Sequence, residues 1–173
     1  INSYDYAIIA VGAHNMEMPI PHDNSNIVSS WDVLNGQEVT GDCVVIGGGL
    51  VGAETAEYLA NKGHQVTIVE MMDKIAAGES TTVLPLMMKD FADHNVKQLV
   101  NTKVDHIENN IVYTANDQIK ADTIINALGS KKNIFDDSSI TIPHVCVGDC
   151  SGERTADIAS AIRTAYHAAN EIG

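Results

Sequence analysis

Short apolar runs alternate with helix-forming segments along the first half of the chain. The run YAIIAVGA (residues 6–13) is typical of a strand buried on both faces, whereas the polar, proline-broken stretch 14–26 predicts a connection. Further on, the pattern predicts a strand at 42–47, an amphipathic helix at 50–62 and a strand at 65–70. This order indicates a strand-helix-strand unit.

The second half of the chain is richer in strands. A helix is predicted at 82–94 and a short strand at 97–100. Asn-containing turns then separate three strand candidates and predict an antiparallel meander made of KVDHIE (103–108), IVYT (111–114) and IKADTIINALG (119–129). The tail predicts a strand at 144–149 and a long amphipathic helix with apolar positions at Ile158, Ile162, Ala165, Tyr166, Ala169 and Ile172.

A glycine-rich turn joins the strand at 42–47 to the helix at 50–62. Gly47, Gly49 and Gly52 have the spacing G-x-G-x-x-G. In such a turn the first glycine permits tight bending, the second lets the backbone approach a pyrophosphate, and the third lets the helix pack on the strand. Because strands flank the unit, the sequence predicts an α/β fold with a Rossmann-like dinucleotide-binding domain. The candidate cofactor-binding turn comprises Gly47, Gly48, Gly49, Leu50, Val51 and Gly52.

An acidic residue, Glu70, ends the strand that follows the helix. A carboxylate at this position can accept hydrogen bonds from both hydroxyls of an adenosine ribose and would repel a 2′-phosphate. The next residues, Met71 and Met72, supply no arginine for a 2′-phosphate, and Lys74 is the nearby cation. The sequence therefore predicts NAD(H) as the cofactor, in preference to NADP(H).

Composition and charge narrow the range of partners. Ten Lys and Arg residues against 23 Asp and Glu residues give a net charge of −13, which disfavours nucleic acid and anionic membrane surfaces. No apolar run reaches the roughly 18–20 residues of a membrane span, and no signal peptide is visible, so we expect a cytoplasmic protein. The histidines and cysteines have no metal-binding spacing, and we expect free thiols, with a redox pair of Cys146 and Cys150 as the alternative.

Three strings resemble one family of flavoenzymes. They are SWDVLNGQEVTGDCVVIGGGLVGAETAEYLANKGHQVTIVEMMDKIAAG (30–78), YDYAIIAVGA (4–13) and ITIPHVCVGD (140–149). Together they resemble the C-terminal region of NADH:flavin oxidoreductases of the 2,4-dienoyl-CoA reductase and trimethylamine dehydrogenase type, which are old yellow enzyme-like. The resemblance implies an NAD(H)-binding domain at 41–129. It also implies that 1–40 and 130–173 are discontinuous remnants of a FAD- or ADP-binding Rossmann-like domain, contributing strands and a C-terminal helix.

The resemblance also assigns roles to single residues. It makes Gly47, Gly49, Gly52 and Glu70 the NAD site and Gly129 a backbone contact at the nicotinamide side. Glu54 is similar to a glutamate near the nicotinamide carboxamide, but it is equally interpreted as a first-turn acid favoured by the helix dipole. Asp149 matches an aspartate that binds the flavin ribitol, and a helix from about Ser151 would direct its N-terminus at the flavin. No catalytic side chain and no metal ligand is predicted.

The resemblance further implies a piece of a longer polypeptide. The sequence begins at Ile1 in a strand-like run, and the family's upstream flavin-domain unit, FMN barrel and cysteines for an iron–sulfur cluster would belong to the missing N-terminal domains. We therefore expect the chain alone to be inactive and not to retain FAD stoichiometrically. The two remnant strands should pair with another copy, giving a homo-oligomer, or fold onto their own domain.

The predicted function is that of an NADH-binding fragment of a flavin-dependent oxidoreductase, which delivers a hydride from NADH to flavin for reduction of an enoyl or dienoyl thioester. One alternative is a noncatalytic module that binds NAD or ADP. Another is an amine dehydrogenase-type domain that holds only structural ADP. Since no cysteines resemble a disulfide-reductase pair, the thioredoxin reductase and lipoamide dehydrogenase types are disfavoured.

Overall fold

The structure is a computed structural model that describes residues 3–78, 80–152 and 158–172. The strands are β1 Ala7–Ile9, β2 Ala13–Asn15, β3 Ile27–Ser29, β4 Cys43–Ile46, β5 Val66–Val69, β6 Lys97–Leu99, β7 Val104–Glu108, β8 Ile111–Thr114, β9 Gln118–Lys120, β10 Thr123–Asn126, β11 Ser130–Lys132 and β12 His144–Cys146. The helices are α1 Ser30–Leu34, α2 Leu50–Asn61, α3 Leu84–Asp93 and α4 Ile158–Ile172, with a 3₁₀ turn at Gly148–Cys150.

A five-stranded parallel sheet in the order β3-β10-β4-β5-β6 forms the centre of the larger part of the chain. Helices α2 and α3 connect β4 to β5 and β5 to β6. Successive side chains of a strand point to opposite faces of the sheet, so each central strand contributes side chains to two hydrophobic cores. On one face Val45 and Ile68 pack with Leu59 of α2 and Phe91 of α3. The α/β fold with a parallel sheet is therefore confirmed.

The opposite face of the sheet is covered by a small antiparallel sheet in the order β7-β8-β9. Here Val44 and Ile124 of the central strands pack against Ile107 and Val112 of the meander. The predicted meander is confirmed for its first two strands, and the Asn109-Asn110 turn has positive φ at both residues (53° and 59°), as a tight hairpin requires.

Both crossover helices lie within two residues of their predicted bounds. Helix α2 has Gly49 as its N-cap and Lys62 as its C-cap, and Gly63 follows with φ of +92°, the left-handed conformation that ends a helix. Helix α3 holds Pro85 in its first turn, where a missing N–H costs no helical hydrogen bond.

The third meander strand, predicted at 119–129, is wrong as a single strand. The run divides after Lys120: β9 completes the meander, and β10 leaves it to lie between β3 and β4 in the parallel sheet. The division occurs at Asp122, whose N–H donates to Asp42 O and whose carboxylate accepts the Asp42 N–H. All four residues of β10 are buried, which suits the centre of a sheet covered on both faces.

The stretch 14–26, predicted as a connection, also holds the end of β2, and β3 follows it directly. Strand β3 pairs in parallel with β10, with Ile27 opposite Ile124. This strand was not predicted, because three residues next to a polar segment are too few to show a period of two.

The chain divides into two compact units. The sheet unit is Asn15–Gly129, and the terminal unit consists of the residues before Asn15 and from Ser130 onward. The resemblance implies a domain that begins at residue 41, and the compact sheet unit, which begins at Asn15, also includes β3 and α1. At the other end the predicted boundary after residue 129 coincides with the end of the sheet unit. The assignment of 41–129 as an NAD(H)-binding domain stays a prediction.

The terminal unit contains a parallel pair, β1 with β12, in which Ile9 lies opposite Cys146. The predicted strands at 6–13 and 144–149 are thus present in shortened form and pair within the chain, while association with another copy stays a prediction. Helix α4 is confirmed from Ile158, and its expected beginning near Ser151 crosses residues 153–157, outside the described part. No described helix has both the length and the apolarity to cross a bilayer.

Candidate dinucleotide-binding site

A cavity of about 460 Å³ opens at the carboxyl edge of the parallel sheet. The ends of β4, β5 and β10 and the residues after β6 form its walls. Gly47, Gly49, Glu70 and Gly129, all predicted from the sequence, line it together. Open α/β sheets bind ligands at this edge, where the connections turn from one side of a central strand to the other. The cavity is therefore the candidate functional site.

The three glycines of the turn have different surroundings. A Cβ on Gly47, which has φ of +101°, would lie 2.5 Å from the Ala127 carbonyl oxygen, and a Cβ on Gly52 would lie 1.9 Å from the Gly47 carbonyl oxygen. Both glycines are thus required by backbone-to-backbone packing. A Cβ on Gly49 would meet no atom within 4 Å. Packing does not require a glycine there, and its side-chain position opens towards free space.

The N-terminus of α2 is suited to an anion. Gly49 is its N-cap, and no side chain caps this end in the described structure. The first N–H groups of a helix have no partner within the helix, and the macrodipole makes this end positive. Leu50 and Val51, the first two helical residues, are 41% and 38% exposed, so the turn can be reached from solvent. A phosphate group is the ligand that such an end typically holds.

The carboxylate of Glu70 is held in place by two backbone donors. Its Oε2 accepts the Gly48 N–H at 2.6 Å, and its Oε1 accepts the Met72 N–H at 2.7 Å. The loop after β5 packs on the same turn: Ile75 is buried, and the Ala76 N–H donates to Gly48 O at 2.7 Å. This support for the carboxylate could not be predicted from the sequence, because it depends on how the loop after β5 packs on the glycine turn.

Gly129 lies at the other end of the cavity, and a segment from before β3 passes beside it. The Met16 N–H donates to Gly129 O at 2.9 Å, and the Asn126 side chain donates to Met16 O at 2.7 Å. Ile20 and Leu128 complete an apolar wall. Asn126 was not predicted as a site residue. The sequence feature that could have indicated it is its place as a polar residue at the end of the apolar run TIIN, and in the structure it is 4% exposed.

Six of the ten candidate residues do not line this cavity: Gly48, Leu50, Val51 and Gly52 of the glycine turn, Glu54 of α2, and Asp149. Glu54 is exposed and is the fifth residue of α2, and the first turn of the helix has no acidic residue. Its interpretation as a first-turn acid is therefore wrong, and its proximity to a nicotinamide stays a prediction. Asp149 belongs to the terminal unit, in the 3₁₀ turn whose Gly148 N–H donates to Thr164 Oγ1 at 2.8 Å. Its role towards a flavin also stays a prediction.

The cation beside Glu70 is not the one the sequence indicated. Lys74 does not line the cavity, whereas Lys103, 33 residues along the chain from Glu70 (103 − 70), does. The Thr102 N–H donates to Glu70 O at 2.8 Å, so the segment after β6 runs beside the end of β5. Lys103 could not be found from the sequence, because this contact joins two distant segments.

The sheet unit has one cysteine, Cys43, and its thiol is free and buried. Burial, followed by the neighbouring carboxylates of Asp42 and Asp122, raises the pKa of Cys43 to about 11. In the terminal unit, burial also raises the pKa of Cys146 above its ordinary value. Within the described ranges, no three His, Cys, Asp or Glu side chains come together as a metal site.

Comparison with known proteins is consistent with this geometry. The family model described as pyridine nucleotide-disulphide oxidoreductase matches residues 2–144. The chain is 44% identical to the bilirubin reductase of Mediterraneibacter gnavus (strain CC55_001C), over 97% of this chain and 28% of that protein.

Two solved structures are similar along nearly the whole chain. One is a 2-naphthoyl-CoA reductase in complex with 2-naphthoyl-CoA, at 26% identity and a TM-score of 0.81, covering 94% of this chain and 26% of that one. The other is a histamine dehydrogenase from Rhizobium sp. 4-9, at 19% identity and a TM-score of 0.82, covering 97% of this chain and 30% of that one. The chain thus spans less than a third of the length of each relative.

Proposed function

The chain belongs to the pyridine nucleotide-disulphide oxidoreductase family, whose members bind FAD and NAD(P)H, and on this premise we propose that the sheet unit binds NADH and presents its nicotinamide to a flavin. One observation carries the proposal: the glycine turn, the Glu70 carboxylate and Gly129 all line a single cavity at the carboxyl edge of the sheet. An uncapped helix N-terminus, a carboxylate held by two backbone donors and an apolar wall therefore meet at one edge of the sheet, which supports the proposal.

The described residues fit the cofactor part by part. The space beside Gly49 and the uncapped N-terminus of α2 suit the pyrophosphate. The Glu70 carboxylate keeps acceptor capacity beyond its two backbone bonds and would take the adenosine ribose hydroxyls. The nicotinamide would then lie towards Gly129 and Leu128.

Bound NADH would supply the hydride, and the residues of the chain would bind and orient it. Ile20 and Leu128 give the cavity an apolar wall beside Gly129, which would limit the access of water to the nicotinamide side. The carboxylate of Glu70 is already fixed, so ordering it on binding costs little side-chain entropy. Hydride transfer from a nicotinamide needs position and orientation more than a proton donor, which suits these walls.

The described residues do not fit a complete FAD. The sequence contains one G-x-G-x-x-G turn, at Gly47–Gly52, and the NADH proposal uses it. Asp149 alone is the candidate for a flavin contact. We therefore propose that the flavin is held chiefly by other residues of a longer polypeptide, and that this chain alone does not retain it.

For the electron acceptor we propose a conjugated organic molecule. Two relatives are named as reductases of bilirubin and of 2-naphthoyl-CoA, which are both conjugated. An enoyl or dienoyl thioester belongs to the same chemical class. A domain that holds only structural ADP, as in an amine dehydrogenase type, is the second candidate. Gly49 and Glu70 would serve ADP equally well, because ADP carries the same ribose and pyrophosphate, but the cavity continues to Gly129 and Leu128, where a nicotinamide would lie, and this favours use of NADH.

Calorimetric titration of the 173-residue chain with NADH, NADPH and ADP tests the binding step. We expect NADH to bind at least about tenfold more tightly than NADPH, equivalent to about 1.4 kcal/mol, because the Glu70 carboxylate opposes a 2′-phosphate. Binding of neither dinucleotide contradicts the proposal. Tight binding of ADP with no added affinity from the nicotinamide half supports the structural-ADP candidate. In the flavin-containing polypeptide, NADH should bleach the flavin absorbance, and binding without bleaching would leave a noncatalytic module.

A further inference from the structure

We propose that Lys103 is a specificity-determining residue of the cavity and sets its affinity for the 2′-phosphorylated cofactor NADPH relative to NADH. This rests on the proposed function, since it concerns which nicotinamide cofactor the same cavity accepts. The ligand chemistry is that of a phosphate monoester on the adenosine ribose.

The backbone brings Lys103 to the ribose side of the cavity. The Glu70 N–H donates to Leu99 O, and the Thr102 N–H donates to Glu70 O, both at 2.8 Å. The Asn101 N–H donates to Met72 O, also at 2.8 Å. These bonds continue the pairing of β5 and β6 past the ends of both strands. Lys103, the next residue, therefore lies on the same cavity wall as Glu70.

The ammonium group of Lys103 is available for a ligand. Its side chain is exposed, and the ion pairs among the described residues, Lys89 with Asp93 and His144 with Asp137, do not include it. Of the described residues that line the cavity, Lys103 alone carries a positive charge. In a chain with a net charge of −13, one cation on this wall strongly affects the local potential.

Glu70 and Lys103 would act on a 2′-phosphate with opposite signs. The carboxylate repels it, but two backbone N–H groups already bind that carboxylate and disperse part of its charge. The ammonium attracts a phosphate monoester, which carries nearly two negative charges at neutral pH. The cavity would thus prefer NADH through Glu70 and keep a measurable affinity for NADPH through Lys103.

The test measures the ratio of the NADPH and NADH dissociation constants in four proteins: the unaltered chain, Lys103→Met, Lys103→Arg and Lys74→Met. Lys103→Met should raise the ratio about three- to tenfold, the range for an exposed ion pair with a doubly charged partner. Lys103→Arg keeps the charge and should keep the ratio. Lys74→Met removes the same charge outside the cavity and should leave the ratio unchanged. Added salt should reduce the effect of Lys103→Met.

Several results would overturn the inference. One is an equal ratio in Lys103→Met and Lys74→Met, and another is NADPH binding too weak to detect in the unaltered chain, since Lys103 would then confer no affinity. If NADH binds and only the ratios fail, the proposed function stands and this inference is refuted. If neither dinucleotide binds, both are refuted. Thermal melts of all four proteins exclude loss of folding as the cause.

Discussion

A methyl group added to the glycine turn should weaken either the stability of the fold or the affinity for NADH, depending on which glycine carries it. In Gly49→Ala the new Cβ meets no atom within 4 Å, and the backbone of Gly49, with φ of −65° and ψ of −171°, is open to alanine. In Gly52→Ala the new Cβ would lie 1.9 Å from the Gly47 carbonyl oxygen and 3.1 Å from the Ala127 Cβ. A backbone oxygen cannot move aside without opening the turn.

The magnitudes follow from these contacts. Gly49→Ala should change the free energy of unfolding by less than about 1 kcal/mol, because a weaker N-cap is offset by lower entropy of the unfolded chain. Gly52→Ala should cost about 1–3 kcal/mol or more through overpacking, and lower the melting temperature by several degrees. In Gly49→Ala the new methyl group would keep the pyrophosphate of NADH from its charge-assisted hydrogen bond to the backbone. Losing that bond should weaken binding by about 1.5–3 kcal/mol, which raises the dissociation constant roughly 10- to 150-fold.

Urea unfolding and NADH titration of the two variants and the unaltered chain measure both effects. Gly49→Ala should unfold like the unaltered chain but bind NADH poorly, and Gly52→Ala should unfold at lower urea. Unaltered NADH affinity in Gly49→Ala would mean that the pyrophosphate does not lie against Gly49. Equal destabilisation by the two substitutions would refute the steric reasoning.

Other features of the fold give sharp expectations. Phe91 is 1% exposed in the core of the sheet unit, so Phe91→Ala should lower the free energy of unfolding by about 3–5 kcal/mol. Leu86 is 67% exposed on the same helix, and Leu86→Ala should change the free energy of unfolding by less than about 0.5 kcal/mol. Similar urea midpoints for the two variants would contradict this. The hydrogen bond to Asp137 and, to a smaller extent, the one to Ile142 O raise the pKa of His144 above 6.5. The contribution of protonated His144 to the stability of the fold is therefore fully present below pH 6.5 and is lost as the pH rises through the folded-state pKa. The urea midpoint of the unaltered chain should therefore exceed that of His144→Gln at low pH, and a gap that widens with rising pH would refute the assignment. Cys43, buried and with its pKa raised to about 11, should react with iodoacetamide more slowly than the half-buried Cys146, as mass spectrometry of partly labelled protein would show, and equal rates would count against it.

The strand-helix-strand unit around the glycine turn could be predicted from the sequence because its determinants are local. Apolar runs specify β4 and β5, a stripe of one helical face specifies α2, and glycine spacing specifies the turn between them. The position of Glu70 follows from the end of β5. These features depend on neighbours within a few residues, which is the range over which sequence patterns carry information.

The remaining features depend on contacts between distant segments. The sequence of 119–129 reads as one strand, and only pairing with β3 and β4 shows that β10 leaves the meander. Lys103 reaches the cavity because residues 99–102 hydrogen-bond to residues 70–72. The first-turn interpretation of Glu54 is wrong for a different reason: the helix begins at Leu50, so Glu54, its fifth residue, lies beyond the turn where the helix dipole acts most strongly.

The hydrogen bond from the Met16 N–H to Gly129 O joins the two ends of the sheet unit at 2.9 Å. A compact domain whose two chain ends are neighbours can be inserted into a surface loop of another protein without stretching either connection. The same closeness would let a short linker join the two ends, so that new termini could be opened at an exposed turn such as Asn116-Asp117. Such circular permutants would keep the glycine turn and Glu70 in one uninterrupted stretch of chain.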